Sequence, residues 1–132
     1  MIIDYSNEIF NTVAVNLRAS YDVIQVVGEY VESPAKFPTV TLDEIRNIPV
    51  HLDSAKTNKY AEVTYRVQIF CNGEGKRQQA RQILGSLDSM LIDMGLYIKT
   101  YTTTPAVYNS EIYCITVTYE GVIGADGTIY RN

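Results

Sequence analysis

Segment 72–77, NGEGKR, is the stretch of this chain most similar to a site for chemistry, because it lies where phosphate-binding loops lie. It separates a predicted strand from a predicted helix and holds two glycines followed by a lysine. A phosphate-binding loop also needs a glycine five positions before its last glycine and a serine or threonine after its lysine. Phe70 and Arg77 occupy those positions, so no hydroxyl is available to bind Mg²⁺. We therefore predict a strand-to-helix turn without a nucleotide.

The only histidine, His51, is followed by Asp53, and the two would share one face of an extended segment. Two ligands do not make a zinc site, and no cysteine or second histidine lies nearby in sequence. A Ser–His–Asp system stays formally open with a single histidine, but the chain lacks the GxSxG motif of one common form of it. The pattern indicates a surface histidine and predicts no catalytic residue, metal site or cofactor.

The net charge of the chain is -4 and its pI is about 4.9. Proteins that grip nucleic acid normally present a basic face, so this composition argues against such a role. Glu29 with Glu32, or Asp43 with Glu44, could form carboxylate pairs of the kind that glycosidases use. Nothing around these residues indicates burial, and we predict solvated surface charges.

The two cysteines, Cys71 and Cys114, form no CxxC pair and have no metal-ligand spacing. Both fall in strand-like runs, which favours half-buried thiols, and a disulfide between them stays open. The first ten residues lack the basic start and unbroken apolar run of a signal peptide. No stretch approaches the roughly 18 apolar residues of a membrane span. We expect a protein that folds in a reducing cytoplasm and has no membrane partner.

A basic cluster stands out against this acidic background. Lys76, Arg77 and Arg81 lie in the first turns of the second predicted helix. Cations there oppose the helix dipole, and Arg77 and Arg81 also repel each other because they are four residues apart. Two interpretations remain: the cations meet carboxylates of a partner chain, or they form a solvated basic end. The three residues are therefore the candidate interface.

Apolar side chains recur at the helical period over residues 5–20 and, most strongly, over residues 76–94. Gly95 stands where the second helix needs a C-cap, because glycine adopts a positive φ without strain. Gly85, inside the same helix, costs about 1 kcal/mol relative to alanine. We predict that it permits close approach of the helix to the sheet.

Alternating apolar and polar residues predict the strands 23–31, 39–42, 61–72, 96–103, 111–122 and a short return strand at 128–131 after a turn at 126–127. Pro49 is expected to break the chain after the second strand, and Pro105 to mark a loop over 104–110. Residues 53–60 are polar and predict a loop. Segment 33–60 as a whole is predicted to contain an extended arm or loop, since it is long for a compact domain.

This order of elements predicts a single α+β domain over residues 1–132. Strands outnumber helices and follow one another as in a meander, so the sheet should be antiparallel-dominated with both helices packed on one face. A domain of this kind without a catalytic apparatus is expected to work by assembling with other proteins.

Three stretches carry a family resemblance: YAEVTYRVQIF at 60–70, RQQARQILGSLDSML at 77–91 and YCITVTYEGV at 113–122. Together with an N-terminal amphipathic helix, they follow one another as a strand, a helix and a closing strand. In this order the chain resembles the tail terminator, or tail completion, proteins of long-tailed phages and phage tail-like particles. The resemblance covers most of the chain, but segment 33–60 matches nothing in the family.

The resemblance implies a structural virion protein, not an enzyme. It implies a homo-oligomeric ring, commonly of six subunits, at the head-proximal end of the virion tail, assembled in the host cytoplasm. Its partners would be other copies of itself, the tail tube protein, the sheath if the tail contracts, and the head–tail connector or neck protein. DNA would pass through the ring without specific binding.

A ring needs a heterologous interface, in which one patch meets a different patch of the next copy. An unpaired strand edge or an extended arm supplies such a contact by β-augmentation, and segments 33–60 and 100–111 are the candidates. Two other functions remain open. One is a head–tail joining or neck connector protein, and the other is a protein-interaction domain unrelated to phages.

Overall fold

The computed structural model describes residues 4–21, 24–28, 37–51, 58–73, 75–106, 109–124 and 129–130. Its elements are, in chain order, α1 (Ser6–Ser20), β1 (Gln25–Val27), β2 (Thr39–His51), β3 (Asn58–Asn72), α2 (Lys76–Met94), β4 (Tyr97–Ala106), β5 (Asn109–Gly124) and β6 (Ile129–Tyr130). The strands form one sheet in the order β1-β2-β3-β5-β4, and β6 pairs with β5. The described pairs are antiparallel except that of β1 with β2. The predicted α+β class is confirmed, whereas the parallel pair was not predicted.

Both helices lie on one face of the sheet because β3 and β5 alternate between apolar and polar residues. The core side chains of these two strands are Ala61, Val63, Tyr65, Val67, Ile69, Cys71, Ile115, Val117, Tyr119 and Ile123. Helix α2 packs over β3 and β5, while α1 packs beside α2 over β1 and β2. The predicted placement of both helices on one face is confirmed.

Helix α2 has the bounds that its periodicity predicts. It ends at Gly95 with φ of 104°, and the N–H of Leu96 donates to the carbonyl of Leu91 at 3.0 Å. The predicted C-cap is thus confirmed. The prediction for Gly85 is wrong: this residue is exposed, and a Cβ built there would meet no atom within 4 Å. Gly85 lies on the solvent side of the helix, away from the sheet.

Pro49 and Pro105 lie inside strands, so the predicted break at Pro49 and the predicted loop at 104–106 and 109–110 are wrong. Pro49 pairs with Ala61 and Pro105 with Tyr113. Both prolines occupy outer strands, where a missing N–H costs little because it can face away from the neighbouring strand. Residues 107 and 108 lie outside the described part of the chain.

The described part of segment 33–60 lies mainly in the sheet. Strand β2 takes up residues 39–51 and pairs with β3, which begins at Asn58. The predicted loop is therefore wrong for residues 58–60. Residues 33–36 and 52–57 lie outside the described residues, so an arm there stays a prediction.

Two other predicted features fall at the limits of the described chain. The strand predicted over 23–31 is confirmed only over residues 25–27, as β1. Residues 24 and 28 are not part of a strand, and residues 23 and 29–31 are outside the description. The turn predicted at 126–127 is also outside the described residues, but the return strand after it is confirmed as β6. Within the described ranges, no helix is long and apolar enough to cross a membrane.

Candidate assembly interface

Strand β4 forms one edge of the sheet, and no other described strand pairs with its outer side. Its side chains Tyr97, Ile98 and Tyr101 are between 38% and 47% exposed. Large apolar side chains on the edge strand of a sheet favour contact with another chain, because an edge strand can accept a further strand through backbone hydrogen bonds. The β4 edge is therefore the first candidate surface.

Strand β2 supplies a second open edge on the opposite side of the sheet. Strand β1 covers only residues 39–41 of β2, so residues 42–51 have no outer partner among the described strands. Ile45 and Ile48 are exposed on this part of β2. The sequence did not reveal this edge, because residues 43–51 were predicted to lie outside the sheet.

Both edges carry features that limit which strands can pair with them. The pairing register shifts between Glu44 and Arg46 on β2 and between Ile98 and Thr100 on β4. Such bulges twist an edge and interrupt its regular hydrogen bonding. Prolines in both strands remove further donors. The edges are thus selective for a particular register and poorly suited to indiscriminate pairing.

The structure places the predicted basic cluster at the exposed start of α2, beside β5. The guanidinium carbon of Arg77 lies 5.7 Å from the centroid of the Tyr113 ring, within cation–π range. Arg77 and Arg81 line a shallow concavity of about 520 Å³. Among the described residues, no carboxylate is within ion-pair distance of Lys76, Arg77 or Arg81. Arg77 and Arg81 are exposed, so a partner chain can reach their guanidinium groups.

An acidic group lies on the same face of the sheet, at the β2 edge. Glu44 accepts a hydrogen bond from the Tyr65 hydroxyl at 3.2 Å. Burial and then repulsion by Asp4 raise the pKa of Glu44. Burial raises the pKa of Tyr65 most, followed by the carboxylates of Glu44, Asp4 and Glu8. Asp4 and Glu8 lie at the start of α1 and Glu44 lies on β2, so no local sequence pattern indicated that the three carboxylates would meet.

Asp43 and Glu44 do not form the carboxylate pair considered from the sequence. Adjacent residues of a strand point to opposite faces, and Asp43 accepts a hydrogen bond from Arg66 at 2.9 Å on the face away from the helices. The prediction of simple solvated charges is wrong for Glu44, whose raised pKa reflects partial burial. Glu29 and Glu32 lie outside the described residues.

Replacing Glu44 with glutamine should stabilise the fold slightly at pH 7. The folded-state pKa of Glu44 is raised above its ordinary value of 4.5, so its charged form opposes folding. Its favourable contribution is present below that value and is lost as the pH rises through the folded pKa. Glutamine keeps an acceptor for Tyr65 but carries no charge. Thermal unfolding at pH 7 and pH 4 should show a difference from wild type that shrinks in acid; a difference that grows in acid would contradict this account.

The other reactive side chains form no further grouping in the described ranges. Cys71 and Cys114 are free and buried, and burial raises the pKa of Cys71 to about 11. They lie on adjacent strands and point to opposite faces, because Cys71 pairs with Tyr113 and Phe70 with Cys114. This excludes the disulfide that the sequence left open.

The phosphate-loop-like segment forms the predicted turn between β3 and α2, with Gly73 and Gly75 at φ of 80° and 71°. His51 ends β2, whereas Asp53 lies outside the description, so their pairing stays untested. No group of three metal-ligating side chains occurs in the part of the chain that the structure describes.

A small cavity lies on the sheet face opposite the helices, lined in part by Arg46, Glu62, Thr64 and Glu120. Its volume is about 80 Å³, well below the roughly 300 Å³ at which small-molecule sites begin. The open edges and the two charged groups are therefore the main candidate functional surfaces. A scan against protein-family models and a search of curated proteins find no match to this chain.

Proposed function

We propose that this chain is a tail terminator of a long-tailed phage or a phage tail-like particle. Its copies form a ring, six in number by family resemblance, that caps the tail tube and joins it to the head–tail connector or neck protein. A contractile particle would add the sheath as a partner. DNA passes through the ring without specific binding, and the ring sits at the head-proximal end of the virion tail.

The observation that carries this proposal is that β4 and residues 42–51 of β2, at opposite sides of one sheet, have no outer partner among the described strands. A ring is built from heterologous contacts, so each subunit must present two different surfaces that fit each other. A subunit with only one interacting edge would form no more than a dimer, in which that edge of one copy pairs with the same edge of the other. Two distinct edges with exposed apolar side chains supply two such surfaces and so support the ring.

The proposal is tested by mixing the purified chain with purified tail tubes and measuring tube length and end structure by negative-stain microscopy. We expect rings on one end of each tube and no further growth when tube subunits are added. Size-exclusion chromatography of the chain alone should show a species larger than the monomer at high concentration.

Two results would count against a terminator. A chain that stays monomeric both alone and with tubes would contradict ring formation. Rings that form but leave tube growth unchanged would instead favour the alternative neck connector function, since that class also assembles as rings.

A further inference from the structure

We infer that neighbouring subunits join by pairing β4 of one copy with β2 of the next, so that one antiparallel sheet continues from subunit to subunit. This inference rests on the proposed ring and specifies its contact. The occupant of each open β4 edge is thus a second copy of this chain.

Strand direction supports this pairing. Strand β2 is antiparallel to β3, β3 to β5, and β5 to β4, so β2 and β4 run in opposite directions. The rotation that generates a ring repeats each subunit in the same orientation within the continued sheet. It therefore brings β2 of the next copy antiparallel to β4, with the helices of both copies on the same face. Antiparallel pairing is also slightly more stable per residue than parallel pairing.

The positions of the open edges require a stagger. The position of each strand along the sheet can be given by the β3 residue that lies beside it in the pairing register. On this scale β4 is level with residues 64–71 of β3, whereas the open residues 42–51 of β2 are level with residues 58–67. Without a shift, β1 of the next copy would block part of the contact. Strand β1 covers residues 39–41 of β2, and these residues lie at the level of β4. Shifts of four to six residues align the open edges, and closed sheets require such a stagger. An even shift also keeps each side chain on its own face.

The same stagger matches the two charged groups. Glu44 lies level with Tyr65 of β3, and Arg77 stacks on Tyr113, which is level with Cys71. Six positions separate Tyr65 from Cys71 along β3. A shift of about six residues thus brings the acidic group of the next copy to the basic cluster.

This charge match accounts for the placement of the basic cluster. Arg77 and Arg81 are unfavourable at a helix N-terminus in the isolated subunit. They would be stabilised by Asp4 and Glu8 of the next copy, which start α1 near Glu44. The open edges allow shifts of four to six residues, and the charge match selects six from this range.

Disulfide trapping in the full chain tests the staggered contact. Ile48 of β2 is level with Glu62, and Thr102 of β4 is level with Gln68, six residues further along β3. A shift of six residues therefore places Thr102 of one copy opposite Ile48 of the next. We expect the variant Ile48→Cys plus Thr102→Cys to form a ladder of covalent multimers under mild oxidation, alone at high concentration and on tail tubes. The native cysteines are buried and should not contribute.

A second cysteine pair serves as the matched control. Arg46 and Tyr97 are both level with Thr64, so they would be opposite each other only without a stagger. We expect Arg46→Cys plus Tyr97→Cys to stay uncross-linked. Cross-linking of this pair instead of the first would overturn the stagger. Rings in which neither pair cross-links would overturn the pairing of β4 with β2.

Charge reversal gives a second readout that does not depend on cysteine chemistry. Arg77→Glu plus Arg81→Glu should raise the concentration needed for assembly about tenfold, as should Asp4→Lys plus Glu8→Lys. The four changes together should restore assembly, because the charges are opposite again. Failure of this rescue, with circular dichroism showing an intact fold, would overturn the charge contact.

The contact and the proposed function fail in different ways. Rings that cross-link through positions 48 and 102 but do not cap tail tubes would refute the terminator function and leave the contact standing. Capped tubes without that cross-link would refute the contact and leave the terminator function standing. A chain that is monomeric and uncross-linked both alone and on tubes would overturn both.

Discussion

Replacing Leu87 with alanine is expected to lower the free energy of unfolding by about 2–5 kcal/mol. Leu87 is completely buried and lies where α2 packs over the two central strands. Truncation removes apolar contacts and leaves a cavity, because the surrounding strands are held by pairing on both sides and cannot collapse fully. Among the fully buried side chains of α2, none is larger than that of Leu87.

Urea unfolding followed by far-ultraviolet circular dichroism measures this loss, since the chain has no tryptophan to report by fluorescence. The matched control is Val15→Ala, because Val15 is 65% exposed on the outer side of α1. Its effect should stay within about 0.5 kcal/mol. A loss below about 1 kcal/mol for Leu87→Ala would contradict the packing described for α2.

Replacing Gly95 with alanine is expected to cost about 1–3 kcal/mol. Gly95 has φ of 104°, a region that side chains with a Cβ rarely adopt. An added Cβ would also lie 3.0 Å from Cγ2 of Ile129 and 3.3 Å from its backbone oxygen. Strand β6 would therefore have to shift as well.

Gly85→Ala is the matched control in the same helix, and it should change stability in the opposite direction. Gly85 has helical geometry and open space around the position of a Cβ, so alanine should gain up to about 1 kcal/mol. Thermal unfolding of the two variants under one set of conditions provides the comparison. Equal signs for the two changes would contradict the assignment of Gly95 to the C-cap.

These stability variants also separate folding from assembly. Leu87 packs over the central strands, away from both open edges, so Leu87→Ala should weaken assembly only through the fraction of unfolded chain. Gly95 directly precedes β4, so Gly95→Ala also acts on the β4 edge. Arg77 and Arg81 are exposed, and reversing their charge should act on assembly with little change in unfolding. This contrast would identify the basic cluster as a contact surface independently of the core.

The sequence correctly predicted elements whose local period matches their burial. Helix α2 shows this most clearly, because its apolar stripe, its bounds and its cap at Gly95 all agree with the structure. Strands β3 and β5 are central, so their helix-side residues are uniformly apolar and their alternation is strong. Fold class followed from these three elements and their order.

Strands β2 and β4 are longer than the sequence predicts because both are outer strands, which can continue through a proline. A sequence does not state whether a strand will be central or outer, and the meaning of a proline depends on that difference. Pro49 and Pro105 were therefore interpreted as breaks, although an outer strand tolerates them. The parallel pairing of the short β1 likewise depends on where the preceding helix places the chain.

The basic cluster could be identified from the sequence because Lys76, Arg77 and Arg81 are close along one helix. Its proposed counterpart could not, because Asp4, Glu8 and Glu44 come together only when α1 packs over β2. By itself the sequence determined the periodic elements, the fold class and one charged surface, through local spacing alone. Only the tertiary structure decided which strands are edges and which distant charges meet, since both depend on contacts between segments far apart in the chain.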